Sequence, residues 1–156
     1  MLELNQLIDK LNLKPHPEGG YYSETYRSLD KVSDGERNLM TCIYFLLTEN
    51  EVSKFHRIKS DELWFYHQGS PIDIHLLSDE GHQIYRLGPI HEEGCLPQIL
   101  VKKNTIFGSC LKKTAGYSLV SCVVAPGFDF RDFELFNYQN LIELFPDHQN
   151  IISRLT

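Results

Sequence analysis

Residues 53–69 read S-K-F-H-R-I-K-S-D-E-L-W-F-Y-H-Q-G, and this stretch decides the fold. Two runs rich in apolar and aromatic residues flank a polar corner, K-S-D, at 59–61. This pattern is typical of two antiparallel strands joined by a tight turn, so we predict a hairpin whose corner brings His56 close to Glu62. Because side chains alternate between the faces of a strand, the face of Glu62 also carries Trp64 and Tyr66.

Short segments rich in strand-forming residues recur roughly every ten residues along the rest of the chain. They lie at 21–27, 39–48, 72–77, 82–87, 97–101, 105–112 and 117–125. Apolar residues at helical spacing occur only near the ends, at 3–12 and in two short segments near 141–145 and 151–155. The series predicts an all-β sandwich or barrel with short N- and C-terminal helices.

Composition excludes several classes of protein. The 156 residues fit one domain, and the net charge of -6 argues against general binding to nucleic acid or to an anionic membrane. No apolar run approaches the roughly 18–20 residues of a membrane span, and the first residues lack the pattern of a signal peptide. We therefore expect a cytoplasmic protein. Its four cysteines show no C-x-x-C spacing, and we expect them to be structural or inert.

Three longer blocks carry a family resemblance. They are H-P-E-G-G-Y-Y-S-E-T-Y-R-S at 16–28, F-H-R-I-K-S-D-E-L-W-F-Y-H-Q-G at 55–69 and V-A-P-G-F-D-F-R-D-F-E-L at 124–135. In the second block, His56, Glu62 and Gly69 fall in register with the first sequence motif of the cupin superfamily. Together the blocks resemble one cupin subgroup, the Cupin 5 or DUF985 family.

The resemblance implies a double-stranded β-helix, which is the cupin jelly-roll barrel and is RmlC-like in outline. We expect a single cupin domain over 1–156, with the barrel at about 20–135 and a helical tail at 137–156. The resemblance also implies a homodimer. It implies no activity, because the family as a whole has no settled one.

The chain departs from the cupin metal-binding pattern. A cupin metal centre uses two histidines and a carboxylate from the first motif and one histidine from the second. Ile58 stands where many cupins carry the second histidine, and the second motif maps best onto 102–107, which ends in phenylalanine. His56 and Glu62 alone fall short of the three or four ligands that hold a first-row metal, and Gln98 would add only a weakly binding amide. We expect no metal and no other cofactor; the alternative is a divalent metal with His56, Glu62 and Gln98 as its ligands.

The remaining candidates describe a small-molecule pocket. A histidine and a carboxylate in an aromatic-lined pocket shift each other's pKa, as in acid–base sites. We predict His56 as a catalytic base, Glu62 as the group that orients it and Tyr66 as a proton donor. The predicted ligand-binding residues are Trp64, His75, Gln98, Phe107 and Phe128. The simpler interpretation is a buried His56–Glu62 pair that only hydrogen-bonds inside the barrel.

Two functions remain open at this point. The first is metal-independent isomerisation or epimerisation of a sugar or nucleotide-sugar, since metal-free cupins such as the deoxysugar epimerases use a histidine base in this fold. The alternative is a non-catalytic binding or sensing module with the same pocket. Leu63 and Phe65, on the opposite face from Glu62, need a covering surface, which supports the homodimer. Tyr22, Glu24 and Arg27 are expected at its interface.

Overall fold

The computed structural model describes residues 4–112 and 116–156. Within these residues the chain forms eleven strands and three short α-helices. The strands are β1 (Lys14–Pro15), β2 (Tyr21–Arg27), β3 (Thr41–Thr48), β4 (Ser53–Arg57), β5 (Asp61–Gly69), β6 (Ile72–Ser78), β7 (Gly81–Leu87), β8 (Gln98–Val101), β9 (Ile106–Leu111), β10 (Tyr117–Ala125) and β11 (Glu134–Leu135). The helices are α1 (Leu4–Lys10), α2 (Tyr138–Leu144) and α3 (Gln149–Arg154), with short 3-10 turns at Phe130–Asp132 and Pro146–His148. The predicted all-β fold with short terminal helices is confirmed; residue 3 of the predicted first helix lies outside the described residues.

The strands form two antiparallel sheets. One has six strands in the order β1-β2-β3-β10-β5-β8, and the other has five in the order β11-β4-β9-β6-β7. Strands far apart in the chain are therefore neighbours, as β3 and β10 are over the full length of β3. This connectivity, in which the chain passes repeatedly between the two sheets, is that of a jelly roll.

The predicted hairpin at 53–69 is wrong. Strand β4 pairs with β9 and β11 in the five-stranded sheet, whereas β5 pairs with β10 and β8 in the six-stranded sheet. Residues 58–60 are therefore a crossover between sheets. Two residues of this crossover, Ile58 and Ser60, are buried, at 5% and 7% exposure. Because of the crossover, His56 and Glu62 come from opposite sheets.

Alternation along the strands produces the main core between the sheets. It contains Phe45, Trp64, Ile74, Phe107 and Val120 among other buried side chains. A second apolar cluster lies on the outer face of the five-stranded sheet, where α2 and α3 pack on it. A third lies beneath α1 on the outer face of β3 and β10. The two helical ends thus cover sheet faces and leave the interior to the strands.

The described helices are all short. None of those within 4–112 and 116–156 has the length and hydropathy to cross a lipid bilayer.

Candidate functional site

A cavity of about 440 Å³ opens between the two sheets. Five buried or nearly buried polar side chains line it: His16, Glu18, Thr41, His56 and Glu62. Six aromatic rings form much of the wall: Tyr22, Phe45, Trp64, Phe128, Phe130 and Phe133. Apolar walls with a few convergent polar groups are the usual composition of a small-molecule site.

The carboxyl group of Glu18 and the imidazole of His56 form the central contact. Glu18 Oε2 lies 3.1 Å from His56 Nε2, and Glu18 Oε1 accepts a hydrogen bond of 2.7 Å from the Ser53 hydroxyl. His56 Nδ1 lies 2.6 Å from the carbonyl oxygen of Lys54. Since a carbonyl only accepts, Nδ1 must carry a proton, and Nε2 and the Glu18 carboxyl are left to share a second one.

Burial decides where that shared proton resides. Desolvation lowers the pKa of His56 to about 4, although the hydrogen bond to Lys54 acts in the opposite direction. Desolvation also raises the pKa of Glu18, against the influence of His16 and Ser53. Both shifts favour a neutral pair in which protonated Glu18 donates to His56 Nε2. Such a pair can accept or release a proton at a defined position in the cavity wall.

His16 contacts Glu18 without forming an ion pair with it. The backbone N–H of Glu18 donates to His16 Nδ1 at 3.2 Å, so this nitrogen is an acceptor. Glu18 Oε2 directs its proton to His56, and its 3.6 Å distance from His16 Nδ1 is too long for a hydrogen bond. Burial lowers the pKa of His16, which keeps the ring neutral. The ring packs edge-on against Tyr22, with centroids 4.6 Å apart, and completes this side of the cavity.

The turn that follows Glu18 determines its position. Gly19 and Gly20 have φ angles of 112° and 72°, in the region that favours glycine. A Cβ atom on Gly19 would lie 2.0 Å from the Val52 carbonyl oxygen, so only glycine permits this approach. The Glu18 carbonyl then accepts a 2.8 Å hydrogen bond from the Lys54 amide. The H-P-E-G-G segment is thereby attached to β4, where His56 lies.

Glu62 reaches the cavity from β5 of the opposite sheet. Burial raises its pKa to about 8, the nearby Glu18 carboxyl adds to the rise when it is ionised, and the Cys122 thiol and Trp64 indole act in the opposite direction. The Trp64 Nε1 atom is buried and makes no hydrogen bond of normal geometry within the described chain. Neither a hydrogen bond nor an ion pair joins His56 to Glu62 among residues 4–112 and 116–156. The predicted His56–Glu62 pair is therefore wrong, and Glu18 occupies the role assigned to Glu62.

Three predicted ligand-binding residues lie in or behind the cavity wall. Trp64 and Phe128 line it. Phe107 lies just behind, with its ring centroid 4.3 Å from that of His56. Phe107 occupies the motif position where cupins carry a metal-binding histidine, and here it packs against the one histidine that remains.

Three other predicted site residues lie away from the cavity. Tyr66 is on the face of Glu62 as predicted, but four residues along a strand advance it by about 13 Å. Its hydroxyl donates to the Gly69 carbonyl at 2.7 Å. Gln98 is exposed and lines a shallow depression on the outside of β7 and β8. His75 alternates with the inward residues of β6, so its side chain is on the outer face, 2.9 Å from His82 Nε2.

The polar side chains expected at a subunit interface bond within the chain. Arg27 donates to both carboxylate oxygens of Glu24, at 2.9 and 2.8 Å, and to the Phe128 carbonyl at 3.1 Å. Tyr22, Glu24 and Arg27 all line the cavity, and the exposed pair Glu24–Arg27 lies at its mouth. Arg27 thus connects β2 to the aromatic segment at 128–133.

The residues present do not fit a cupin metal centre. Ile58 and Phe107 occupy the two absent histidine positions, and both are buried apolar side chains. Both nitrogens of His56 already have partners, while Gln98 is outside the cavity. In 4–112 and 116–156, no group of three or more His, Cys, Asp and Glu side chains is arranged to hold an ion.

Sequence reasoning missed Glu18 and His16, although both lie in the H-P-E-G-G block. The available signal was a glutamate held between a proline and two glycines. Its partners Ser53 and His56 are more than thirty residues away.

Comparisons with known proteins now place the chain in a family. The family model described as Cupin superfamily (DUF985) matches residues 5–136. The chain belongs to this family. The predicted resemblance is confirmed.

Relatives of this DUF985 cupin extend over most of its length. A crystal structure of protein SO0799 from Shewanella oneidensis is 42% identical, covers 100% of this chain and 98% of that one, and superimposes with a TM-score of 0.94. The uncharacterized protein YML079W of Saccharomyces cerevisiae is 31% identical in an alignment 146 residues long that covers 83% of this chain and 73% of the yeast protein.

A more distant similarity identifies the fold alone. An uncharacterized conserved protein with a double-stranded β-helix domain from Klebsiella pneumoniae is 13% identical, with a TM-score of 0.56 over 82% of this chain and 92% of that one. The DUF985 cupin is therefore a double-stranded β-helix protein of uncharacterised function.

Proposed function

We propose that the cavity binds a small organic molecule and that the Glu18–His56 pair moves a proton on it, in a metal-independent isomerisation or epimerisation of a sugar-like substrate. One observation carries this proposal. A buried carboxyl and an imidazole nitrogen lie 3.1 Å apart, within hydrogen-bond distance, in the wall of a cavity of about 440 Å³. Volumes of roughly 300–1,000 Å³ suit ligands of monosaccharide size and above.

The residues support a simple proton transfer. His56 Nε2 takes the proton from a C–H bond that a neighbouring carbonyl makes acidic, and the electron pair of that bond moves into the enolate of the substrate. Glu18 gives its proton to the enolate oxygen, which frees His56 Nε2 for the C–H proton and leaves the Glu18 carboxylate to stabilise the imidazolium. Return of the proton to the other face of the same carbon gives an epimer, and return to the adjacent carbon gives an isomer. No atom is gained or lost.

The aromatic wall supports the same class of ligand. Ring faces pack on the C–H surfaces of a sugar, and Trp64 and Phe45 present an edge-to-face pair with centroids 5.7 Å apart. Closely packed rings also exclude water, which strengthens the electrostatic interactions of the pair.

The alternative function is a binding or sensing module without turnover. The observation that favours it is that both nitrogens of His56 have partners within the chain. A histidine fully engaged in this way can fix the shape of the cavity without reacting.

Ligand binding followed by hydrogen exchange separates these functions. A thermal-shift screen of sugars, amino sugars and nucleotide-sugars identifies a ligand, and NMR in deuterated water then measures deuterium incorporation into its carbon positions. We expect Glu18→Gln to retain binding and to lose exchange by at least about a hundredfold. Binding with no exchange in the native protein would establish the sensing alternative. Exchange that persists unchanged in Glu18→Gln and in His56→Asn would contradict the proposal.

We also infer a homodimer, which the family resemblance implies. Leu63 and Phe65 are only partly buried on the outer face of β5, and the neighbouring Leu100 of β8 is 43% exposed. These side chains would be covered by a second copy of the chain. Size-exclusion chromatography with light scattering tests this: a mass near 36 kDa, twice the 18.1 kDa chain, is expected, and a monomer would contradict it.

A further inference from the structure

We propose that the ligand of this cavity is an organic cation, a protonated amine or quaternary ammonium on a polar body, whose charge is held by Glu62 within the aromatic wall. The inference rests on the cavity being the ligand site, as proposed above, and specifies the class of molecule that it selects.

Glu62 is a buried carboxyl group without a cation. It is 8% exposed, and its close neighbours are the Cys122 thiol, the Trp64 indole and the carboxyl of Glu18. Among the described residues no lysine or arginine forms an ion pair with it, although the other buried carboxyl, Glu18, has an imidazole partner. Placing a carboxylate in such surroundings is costly unless an opposite charge joins it. A ligand cation supplies that charge.

The charged groups around the cavity also favour a positively charged ligand. Four carboxyl groups line it, those of Glu18, Glu24, Glu62 and Asp129, against the two cationic side chains of Lys14 and Arg27. Arg27 is bound to Glu24, and Lys14 lies 5.1 Å from the centre of the Tyr22 ring. Among the described residues, the interior therefore receives two carboxyl groups and no lysine or arginine. A nucleotide-sugar would bring phosphates to an acidic site, whereas an amino sugar would bring the compensating charge.

The aromatic wall is a second, independent indication. Ring faces attract cations, and cages of such rings are a recurrent means of binding ammonium groups. Trp64, the best ring type for this interaction, is two residues from Glu62 on the same face of β5. On the other side, Phe128 and Phe130 form an edge-to-face pair with centroids 4.9 Å apart. A cation beside Glu62 would contact both a carboxylate and a ring.

The proposal has a pH signature. Burial, with a smaller contribution from the nearby Glu18 carboxyl when that group is ionised, raises the pKa of Glu62 to about 8, so Glu62 in the empty site is protonated at neutral pH. A ligand with a permanent charge favours the carboxylate and displaces that proton. Its affinity must therefore rise as pH increases toward about 8 and become constant above it.

Other titratable groups face Glu62 and need a control. The pKa values of His56 and His16 are lowered and that of Cys122 is raised well above its usual range, which keeps all three neutral in this window. The pKa of Glu18 is raised, so Glu18 also faces Glu62 as a titrating carboxyl. The mouth adds Lys14, Arg27, Glu24 and Asp129. Substitution of Glu62 itself assigns the pH dependence.

The test uses three probes with the full-length protein and isothermal titration calorimetry. They are choline, its uncharged isostere in which a carbon replaces the nitrogen, and UDP-glucose. We expect choline to bind at least about tenfold more tightly than the isostere at pH 8 and to weaken about tenfold by pH 6, while the isostere is unaffected by pH. UDP-glucose should bind most weakly.

Variants assign the charge to Glu62. Glu62→Gln should remove both the preference for choline and its pH dependence, whereas Glu80→Gln, which removes an exposed carboxylate at the β6–β7 turn, should change neither. The comparison of choline with its isostere needs no variant, so it remains decisive if Glu62→Gln does not fold. Equal or tighter binding of the isostere or of UDP-glucose would overturn the cation while leaving the cavity a small-molecule site. Failure of all three probes to bind would count against both.

Discussion

Two histidines of the five-stranded sheet have the same burial and opposite surroundings. His56 and His75 are 2% and 5% exposed, and burial lowers the pKa of each to about 4. They pair with consecutive residues of β9, Phe107 and Gly108, so they project from opposite faces. His56 faces the cavity and a carboxyl group, whereas His75 faces His82 at 2.9 Å and the thiol of Cys110 at 3.5 Å. A buried histidine with a lowered pKa therefore does not mark a site; a carboxyl partner and an open volume do.

Removing each imidazole in turn should give the largest difference between the two histidines. His56→Ala should reduce exchange of the bound ligand by at least about a hundredfold, because it removes the base. His75→Ala should stay within about twofold, since His75 has no access to the cavity. Deuterium incorporation followed by NMR measures both. Equal losses in the two variants would mean that exchange depends on general stability and not on the cavity pair.

The glycines next to the two histidine sites should differ in the same way. Gly19 and Gly81 both have positive φ, 112° and 105°. An added Cβ would meet the Val52 carbonyl at 2.0 Å at the first position, but only His148 Nε2 at 3.9 Å at the second. Gly81→Ala should cost about 1 kcal/mol for backbone strain alone. Gly19→Ala should cost at least about 3 kcal/mol, because the turn carrying Glu18 must also move. Urea unfolding at neutral pH gives both values, and similar costs would contradict the close approach at Gly19.

The Glu62 carboxyl, on the cavity face of β5, should make the free energy of unfolding depend on pH. The pKa of Glu62 is raised from 4.5 to about 8, so the native state holds a proton that the unfolded chain loses above about 4.5. The native protein is therefore progressively destabilised by this group as pH rises from 4.5 to 8. Glu62→Gln lacks that penalty, and its advantage over the native protein should grow through this window to about 2 kcal/mol or more.

Unfolding curves of Glu62→Gln at several pH values, with Glu80→Gln as the matched exposed control, measure this effect. A constant difference between the variant and the native protein across the window would show that Glu62 is ionised when buried.

The smallest effect should come from the outer histidine. Because the pKa of His75 is lowered from 6.5 to about 4, its contribution to stability is present above pH 6.5 and is lost as pH falls toward 4. His75→Gln should therefore lose about 1 kcal/mol less stability than the native protein between pH 7 and pH 4. Thermal unfolding at the two pH values tests this, with His91→Gln, in an exposed loop, as the control. No difference would mean that His75 is charged in the folded protein.

Local sequence patterns predicted the strands and their faces. Alternation along β5 correctly directed Glu62 and Trp64 to the interior, and the three sequence blocks correctly indicated the jelly roll. Alternation determines only the face, and not the position along it. For this reason Tyr66 shares the face of Glu62, but its hydroxyl donates to the Gly69 carbonyl, beyond the cavity.

The features that local sequence patterns did not predict depend on pairing between strands that are far apart in the chain. A three-residue corner at 58–60 suits a hairpin or a passage between sheets, and the choice depends on β9 and β10, forty or more residues later. Glu18 was hidden for the same reason. Its glycines indicated a turn, but only the approach to Val52 and Lys54 shows where the turn places the carboxyl group.

The passage at 58–60 also has a consequence for how the molecule assembles. It joins the two opposing walls of the cavity through three residues, so the imidazole at 56 and the carboxyl at 62 are tethered neighbours even in a partly folded chain. The entropy of closing a chain segment rises with its length, and here it is almost minimal. The segment bearing Glu18 is more than thirty residues away in the chain, so bringing its carboxyl group to His56 closes a longer loop at a larger entropic cost.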